Sequence, residues 1–172
     1  MTTPPLRLFF ALPCPPELAA AICAWRDGLH LDGQSVAQAN LHLTLAFLGA
    51  TPRGRKAELL AIGASLPRRA FTLQLDHLAR WKNGILHLAP SEVPSELHEL
   101  VQALREALQA HAFEIEQRPF HPHLTLARHA HSLPTAQPFF ELPARAITLY
   151  SSENSPAGVR YRPLGEWPLD HA

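Results

Sequence analysis

The chain has 172 residues, 47% of them hydrophobic, and its fifteen basic and fifteen acidic side chains give a formal net charge of zero. That length supports one compact domain, or two small lobes sharing a core. A neutral surface supplies no overall field to draw the protein onto long nucleic acid or an anionic membrane, so an anionic substrate must be held by a local cluster of groups.

In chain order, "RLFFAL" (7–12) is a short apolar run stopped by Pro13, which predicts a buried strand. The same proline and Pro15, Pro16 and Glu17 break the run too early for a signal-peptide core, so a soluble, cytoplasmic protein is expected. Residues 15–29 carry Leu18, Ile22, Trp25 and Leu29 at three- and four-residue steps and predict an amphipathic helix. "LHLTLAFLG" (41–49) alternates like a strand, and 55–66 reads as a helix. Residues 71–81, then a turn around Asn83-Gly84, then 85–89, read as strand, turn, strand. Residues 94–112 have apolar positions at 97, 100, 101, 104 and 108, with Ser95 as the expected N-cap, and form the clearest helical pattern. Late strands are expected at 123–128, 146–152 and 160–169, with the Ser-rich loop 151–155 read as a turn.

Strands and helices in this mixed order predict an α+β fold with antiparallel sheets. The seventeen prolines fall mostly between the periodic segments and punctuate loops. Cys14 and Cys23 have no CxxC spacing, which fits a reducing compartment better than a disulfide framework.

The pentamer His-Leu-Thr-Leu-Ala occurs twice, starting at His42 and at His123. On a strand, residues two apart share a face. His42 and Thr44 therefore point one way while Leu41, Leu43 and Leu45 point the other, and His123 and Thr125 repeat the pattern against Leu124 and Leu126. An internal duplication with one such strand per lobe would bring two imidazoles and two hydroxyls together. Two histidines suit acid–base work, because each ring can be neutral or protonated near neutral pH. Threonine hydroxyls can hold phosphate oxygens, and Arg128 adds a fixed positive charge near the second motif. By strict alternation Arg128 points away from His123, so its participation requires a bend or a strand end.

These residues resemble the 2H phosphoesterase superfamily and, within it, the RNA 2′,3′-cyclic phosphodiesterases, also known as 2′-5′ RNA ligases. The blocks "RLFFAL", "NLHLTLAFLG" (40–49), "RPFHPHLTLAR" (118–128), "LYSS" (149–152) and "RYRPL" (160–164) carry the resemblance over nearly the whole chain. It implies a single bilobal α+β domain over 1–172, with antiparallel sheets around a central cleft and helices outside. It further implies His42 as general acid and His123 as general base. Thr44, Thr125 and Arg128 would be the phosphate-binding groups, with no metal and no cofactor. The expected substrate is an RNA end or nucleotide carrying a 2′,3′-cyclic phosphate, opened to a 2′-phosphate by a monomer, with reversible 2′-5′ ligation as a related activity. Where the family more often has an aromatic residue, this chain has His87.

Two other readings compete. His121, His123, His129 and His131 are close in sequence and could bind a metal, although no HExxH and no cysteine cluster supports it. A non-catalytic RNA-end-binding module is the other, but end-binding alone does not need two proton carriers. His121 with Pro122 is expected to shape a turn. Trp25, Trp81 and Trp167 are expected in the core, and Phe47 either lines a base pocket or lies beneath the cleft.

Overall fold

The computed structural model describes residues 4–170. Its elements are β1 (Leu6–Pro13), α1 (Pro16–Asp27), β2 (Gln34–Ser35), β3 (His42–Thr51), α2 (Lys56–Ser65), β4 (Phe71–Leu75), β5 (His77–Arg80), β6 (Leu86–Ala89), α3 (Ser95–Ala110), β7 (Leu124–Arg128), β8 (Phe140–Ala144), β9 (Ala146–Ser155) and β10 (Gly158–Pro168). The described residues form one eight-stranded sheet in the order β10-β9-β1-β3-β7-β6-β5, with β2 paired to β7, and a separate two-stranded sheet of β4 and β8. Every pairing between these strands is antiparallel.

The alternation of the strands decides which face meets the helices. Leu8, Phe10 and Leu12 of β1, Leu43 and Leu45 of β3, Leu88 of β6 and Leu124 and Leu126 of β7 are all buried in one apolar cluster. Helix α1 adds Ala19, Ile22 and Cys23 to that cluster, and α3 adds Leu97, Leu100, Val101, Leu104 and Leu108. Each leucine so buried stabilises the fold by about 1.5–3 kcal/mol relative to exposure. The opposite face of the central strands, bearing His42, Thr44, His123 and Thr125, stays only partly covered.

Two strand–helix–strand units flank the centre, β1–α1–β3 and β6–α3–β7, and their registers match. Leu12 faces Leu43 and Ala11 faces Thr44 in the first; Leu88 faces Leu124 and His87 faces Thr125 in the second. The units meet where β3 pairs with β7 through Leu43 and Leu124, the same position of the repeated pentamer. A residue paired antiparallel with its own counterpart marks a local two-fold axis.

Several expectations need correction. Residues 71–81 are not one strand: the chain breaks at Asp76, whose carboxylate accepts from the Ser91 N–H (2.9 Å) and hydroxyl (2.6 Å). The first half then pairs with β8 and the second with β6. Ser95 is the first helical residue and Pro94 takes the N-cap position, with no side-chain cap, because proline has no side-chain oxygen to accept from the first-turn N–H groups. Residues 151–155 extend β9 rather than forming a turn, since their backbone groups are taken up by β10. In α1 the buried face runs through Ala19, Ile22, Cys23 and Arg26, one step round from the predicted stripe. Both cysteines are free.

Candidate active site

The two pentamers build the site by alternation. Along β3 and the residue before it, Leu41, Leu43 and Leu45 are buried while His42 and Thr44 are partly exposed; β7 and the residue before it repeat this, with Leu124 and Leu126 buried against His123 and Thr125. Because Leu43 faces Leu124, the antiparallel register carries His42 toward Thr125 and Thr44 toward His123. The four polar groups therefore lie around the axis, each histidine beside the other strand's threonine.

Each imidazole is anchored in the same way. The His42 Nδ1–H donates to the Asn40 carbonyl at 2.8 Å, and the His123 Nδ1–H donates to the His121 carbonyl at 2.9 Å. A carbonyl can only accept, so in both neutral rings the free lone pair is on Nε2. Asn40 is itself held by donating from Nδ2 to the Val159 carbonyl of β10 at 2.9 Å. His42 Nε2 lies 2.9 Å from Thr44 Oγ1, whereas His123 Nε2 has no protein partner among the described residues.

Aromatic rings wall both histidines. Phe9 and Tyr161 approach His42 with centroids at 5.0 and 5.1 Å. Trp81 lies 4.5 Å from His123 and 4.2 Å from His87, and His87 is 5.4 Å from His123. Burial lowers the basicity of all three histidines. His42 is brought down to about 4, first by desolvation and then by the nearby positive charge of His123 and Arg128, against the opposing pull of the Asn40 carbonyl. His123 is lowered by burial and by Arg128, partly offset by the His121 carbonyl. His87 is lowered by burial and by a charge on His123.

Arg128 reaches this face because of a β-bulge. Leu86 pairs with Ala127 and His87 with Thr125, leaving Leu126 unpaired. Leu126 and Ala127 are then both buried and Arg128 is exposed, so the extra residue restores Arg128 to the side of His123 and Thr125. β3 bulges at the equivalent residue: Phe10 pairs with Ala46 and Ala11 with Thr44, leaving Leu45 unpaired. The residue equivalent to Arg128 is Phe47, which is 50% exposed and lines the cavity.

Past the Leu43–Leu124 pair a cavity of about 650 Å³ opens, lined by Thr44, Phe47, Trp81, Phe120 and His123, with Lys82, Arg105 and Arg118 supplying positive charge and Glu116 a negative one. Phe47 thus lines the cavity rather than lying under it. Trp81 is 38% exposed and belongs to the site, unlike Trp25 and Trp167, which pack against Phe140 and Phe10. Sequence reasoning also missed Phe9, Asn40 and Tyr161. All three lie inside the motif blocks quoted above, but only the fold shows that they touch a histidine or hold its anchor. His121 contributes its carbonyl and an exposed side chain. Among the described residues, no three His, Cys, Asp or Glu side chains are grouped as a metal site.

An antiparallel α+β sheet with two His-x-Thr strands joined at a two-fold axis is the arrangement of a two-histidine phosphoesterase. The family model of the 2′-5′ RNA ligase superfamily matches residues 14–160, and the chain belongs to that family. It is 36% identical to the RNA 2′,3′-cyclic phosphodiesterase of Escherichia coli over 96% of this chain and 97% of that protein. It is 31% identical to the protein of the same name from Thermus thermophilus, over 95% and 90% of the two chains. The crystal structure of E. coli LigT complexed with 3′-AMP superposes with a TM-score of 0.88 at 36% identity, covering 97% of this chain and 99% of that one.

Proposed function

We propose that this chain is an RNA 2′,3′-cyclic phosphodiesterase that opens the cyclic phosphate by metal-free acid–base chemistry between His42 and His123. The observation that carries this reading is the paired anchoring of the two rings. Each is fixed through Nδ1 by the carbonyl two residues earlier, and both present Nε2 about one axis. A proton can leave at one ring while another arrives at its counterpart.

In this scheme the cyclic phosphate sits on the axis, its oxygens held by Thr44, Thr125 and Arg128. His123 Nε2 takes a proton from water as the water oxygen attacks phosphorus. His42 Nε2–H gives a proton to the departing 3′ oxygen, and the product carries a 2′-phosphate. An RNA 5′-hydroxyl in place of water gives a 2′-5′ linkage by the same geometry. General acid and general base each contribute roughly 10²- to 10⁴-fold. At neutral pH the unliganded His42 is neutral, and the anionic phosphate raises its basicity so that it can hold the proton it delivers.

The cavity fits the rest of the substrate. Phe47 and Trp81 offer ring faces for a base, and Lys82 and Arg105 offer charge for a preceding phosphate. Only a ribose with a 2′ oxygen can form the ring, which makes RNA the substrate class. On this reading residues 4–170 act as one bilobal domain and as a monomer. No helix among the described residues is long and apolar enough to cross a membrane.

The test is a short RNA ending in a 2′,3′-cyclic phosphate, incubated with wild type, His42→Ala and His123→Ala in EDTA. Ring opening by wild type, with losses on the order of 10²-fold or more in each variant, is expected. Activity abolished by EDTA, or equal rates in all three proteins, would overturn the scheme.

A further inference from the structure

Arg26 is the one arginine or lysine in the buried set of the described structure, 5% exposed on the last turn of α1. A guanidinium is not placed there for its charge alone, since its donors must all find partners away from water. Its Nη1 donates to the Val36 carbonyl at 2.6 Å and to the Leu126 carbonyl at 3.3 Å, and its Nε donates to Asp27 Oδ1 at 3.1 Å. Leu126 is the unpaired residue of the β7 bulge. The Val36 N–H donates to the same Leu126 carbonyl at 2.9 Å. Two donors from the first half of the chain thus converge on the carbonyl of the bulge residue, on the β2 side of the strand.

The strand beside it is clamped as well. β2 pairs Gln34 with Arg128 and Ser35 with Ala127, and Gly33 packs so closely that a Cβ there would lie 2.6 Å from the Arg128 carbonyl oxygen. We infer that Arg26 is a positioning residue for Arg128. It holds the Leu126 bulge and the β2 edge in the one arrangement that turns the Arg128 side chain onto the face of His123 and Thr125. This rests on the reading of Arg128 as a phosphate-binding group. Without the clamp, the bulge can relax into regular pairing, which rotates Arg128 to the leucine face.

A double-mutant cycle separates positioning from mere support of the fold. Wild type, Arg26→Met, Arg128→Ala and the double variant are compared for kcat and KM on a short RNA with a terminal 2′,3′-cyclic phosphate, and for inhibition by inorganic phosphate. Arg26→Met is expected to lower kcat/KM at least tenfold and to weaken phosphate inhibition. In the Arg128→Ala background it is expected to add less than twofold. Losses that multiply in the double variant, or unchanged phosphate inhibition in Arg26→Met, overturn the proposal. An Arg128→Ala protein as active as wild type would instead overturn the reading of Arg128 itself. Should Arg26→Met fail to fold, Gly33→Ala pushes on the Arg128 carbonyl from the β2 edge that Arg26 holds. The same non-additivity with Arg128→Ala is then expected, and multiplying losses sink the idea.

Discussion

Leu43 lies directly across from Leu124, and the two are the same letter of one repeated pentamer. This pairing makes the two histidines equivalent in backbone geometry, so any difference in their chemistry must come from what surrounds them. His42 is bonded to its own threonine and walled by Phe9 and Tyr161, while His123 has a bare Nε2 and is walled by Trp81 and His87.

Titration of the two rings by NMR should find both below the ordinary histidine value of about 6.5 in the free protein, with His42 near 4. Adding a 2′-phosphorylated product should move His42 upward, because an anion replaces water beside it. The kcat/KM profile should be a bell displaced to the acid side of pH 6.5. A His42 that titrates at 6.5 with and without product would contradict the burial argument.

The same burial makes stability depend on pH. A histidine held neutral in the fold binds no proton there until the pH nears its lowered value, whereas the unfolded chain binds one below about 6.5. Stability is therefore full above pH 6.5 and falls as the pH drops toward 4. His42 alone accounts for roughly 3 kcal/mol of that loss. Urea melts across this window should show a flatter pH dependence in His42→Phe than in wild type.

The two threonines should not respond alike. If Thr125 holds phosphate as proposed, Thr125→Val should lower kcat/KM by roughly 10- to 100-fold with no change in the free titration of either histidine. Thr44→Val also strips the 2.9 Å partner from His42 Nε2, so it should shift the His42 titration as well as the rate. Kinetics and NMR on the two variants, side by side, check this.

His87 is 3% exposed and carries the Trp81 indole at 4.2 Å. His87→Phe keeps a ring in that place and should change kcat/KM by less than about threefold. His87→Ala leaves Trp81 without its support, and should raise KM and cost about 2 kcal/mol in stability. Equal behaviour of the two variants would mean that the ring contact is irrelevant.

A last expectation concerns the fold alone. A Cβ on Gly63 of α2 would lie 2.2 Å from the Trp167 indole, so Gly63→Ala should lower stability by about 1–3 kcal/mol while leaving kcat per folded molecule unchanged. Calorimetry and active-site-normalised rates test it.

Much of this was readable from local pattern. The stripe of 97, 100, 101, 104 and 108 in α3 is the buried face observed, and the alternation in both pentamers placed His42, Thr44, His123 and Thr125 on the open side. The family resemblance supplied the chemistry. What stayed hidden depends on pairing between distant segments. The alternation of 71, 73 and 75 lapses at Asp76 and its parity shifts at Leu78, but only the separate partners of the two halves, β8 and β6, show that the lapse is a break. Arg128 fell on the wrong face by parity, and only the register of β6 against β7 reveals the extra residue at Leu126. Trp81 and Tyr161 were likewise undetectable as site residues, since their nearness to histidine is set by a hairpin and by the far edge of the sheet.

The two bulges end in unlike residues, Phe47 on one strand and Arg128 on the other. A frame with perfect dyad symmetry would accept a nucleotide in either of two head-to-tail senses and let either imidazole protonate the leaving oxygen. One arginine and one phenylalanine at matching stations would cancel that ambiguity on the proposed reading, with a base on the ring and a phosphate on the guanidinium. On the proposed mechanism, the direction of proton flow would then be set outside the histidines, by this mismatch together with the unlike walls around the two rings.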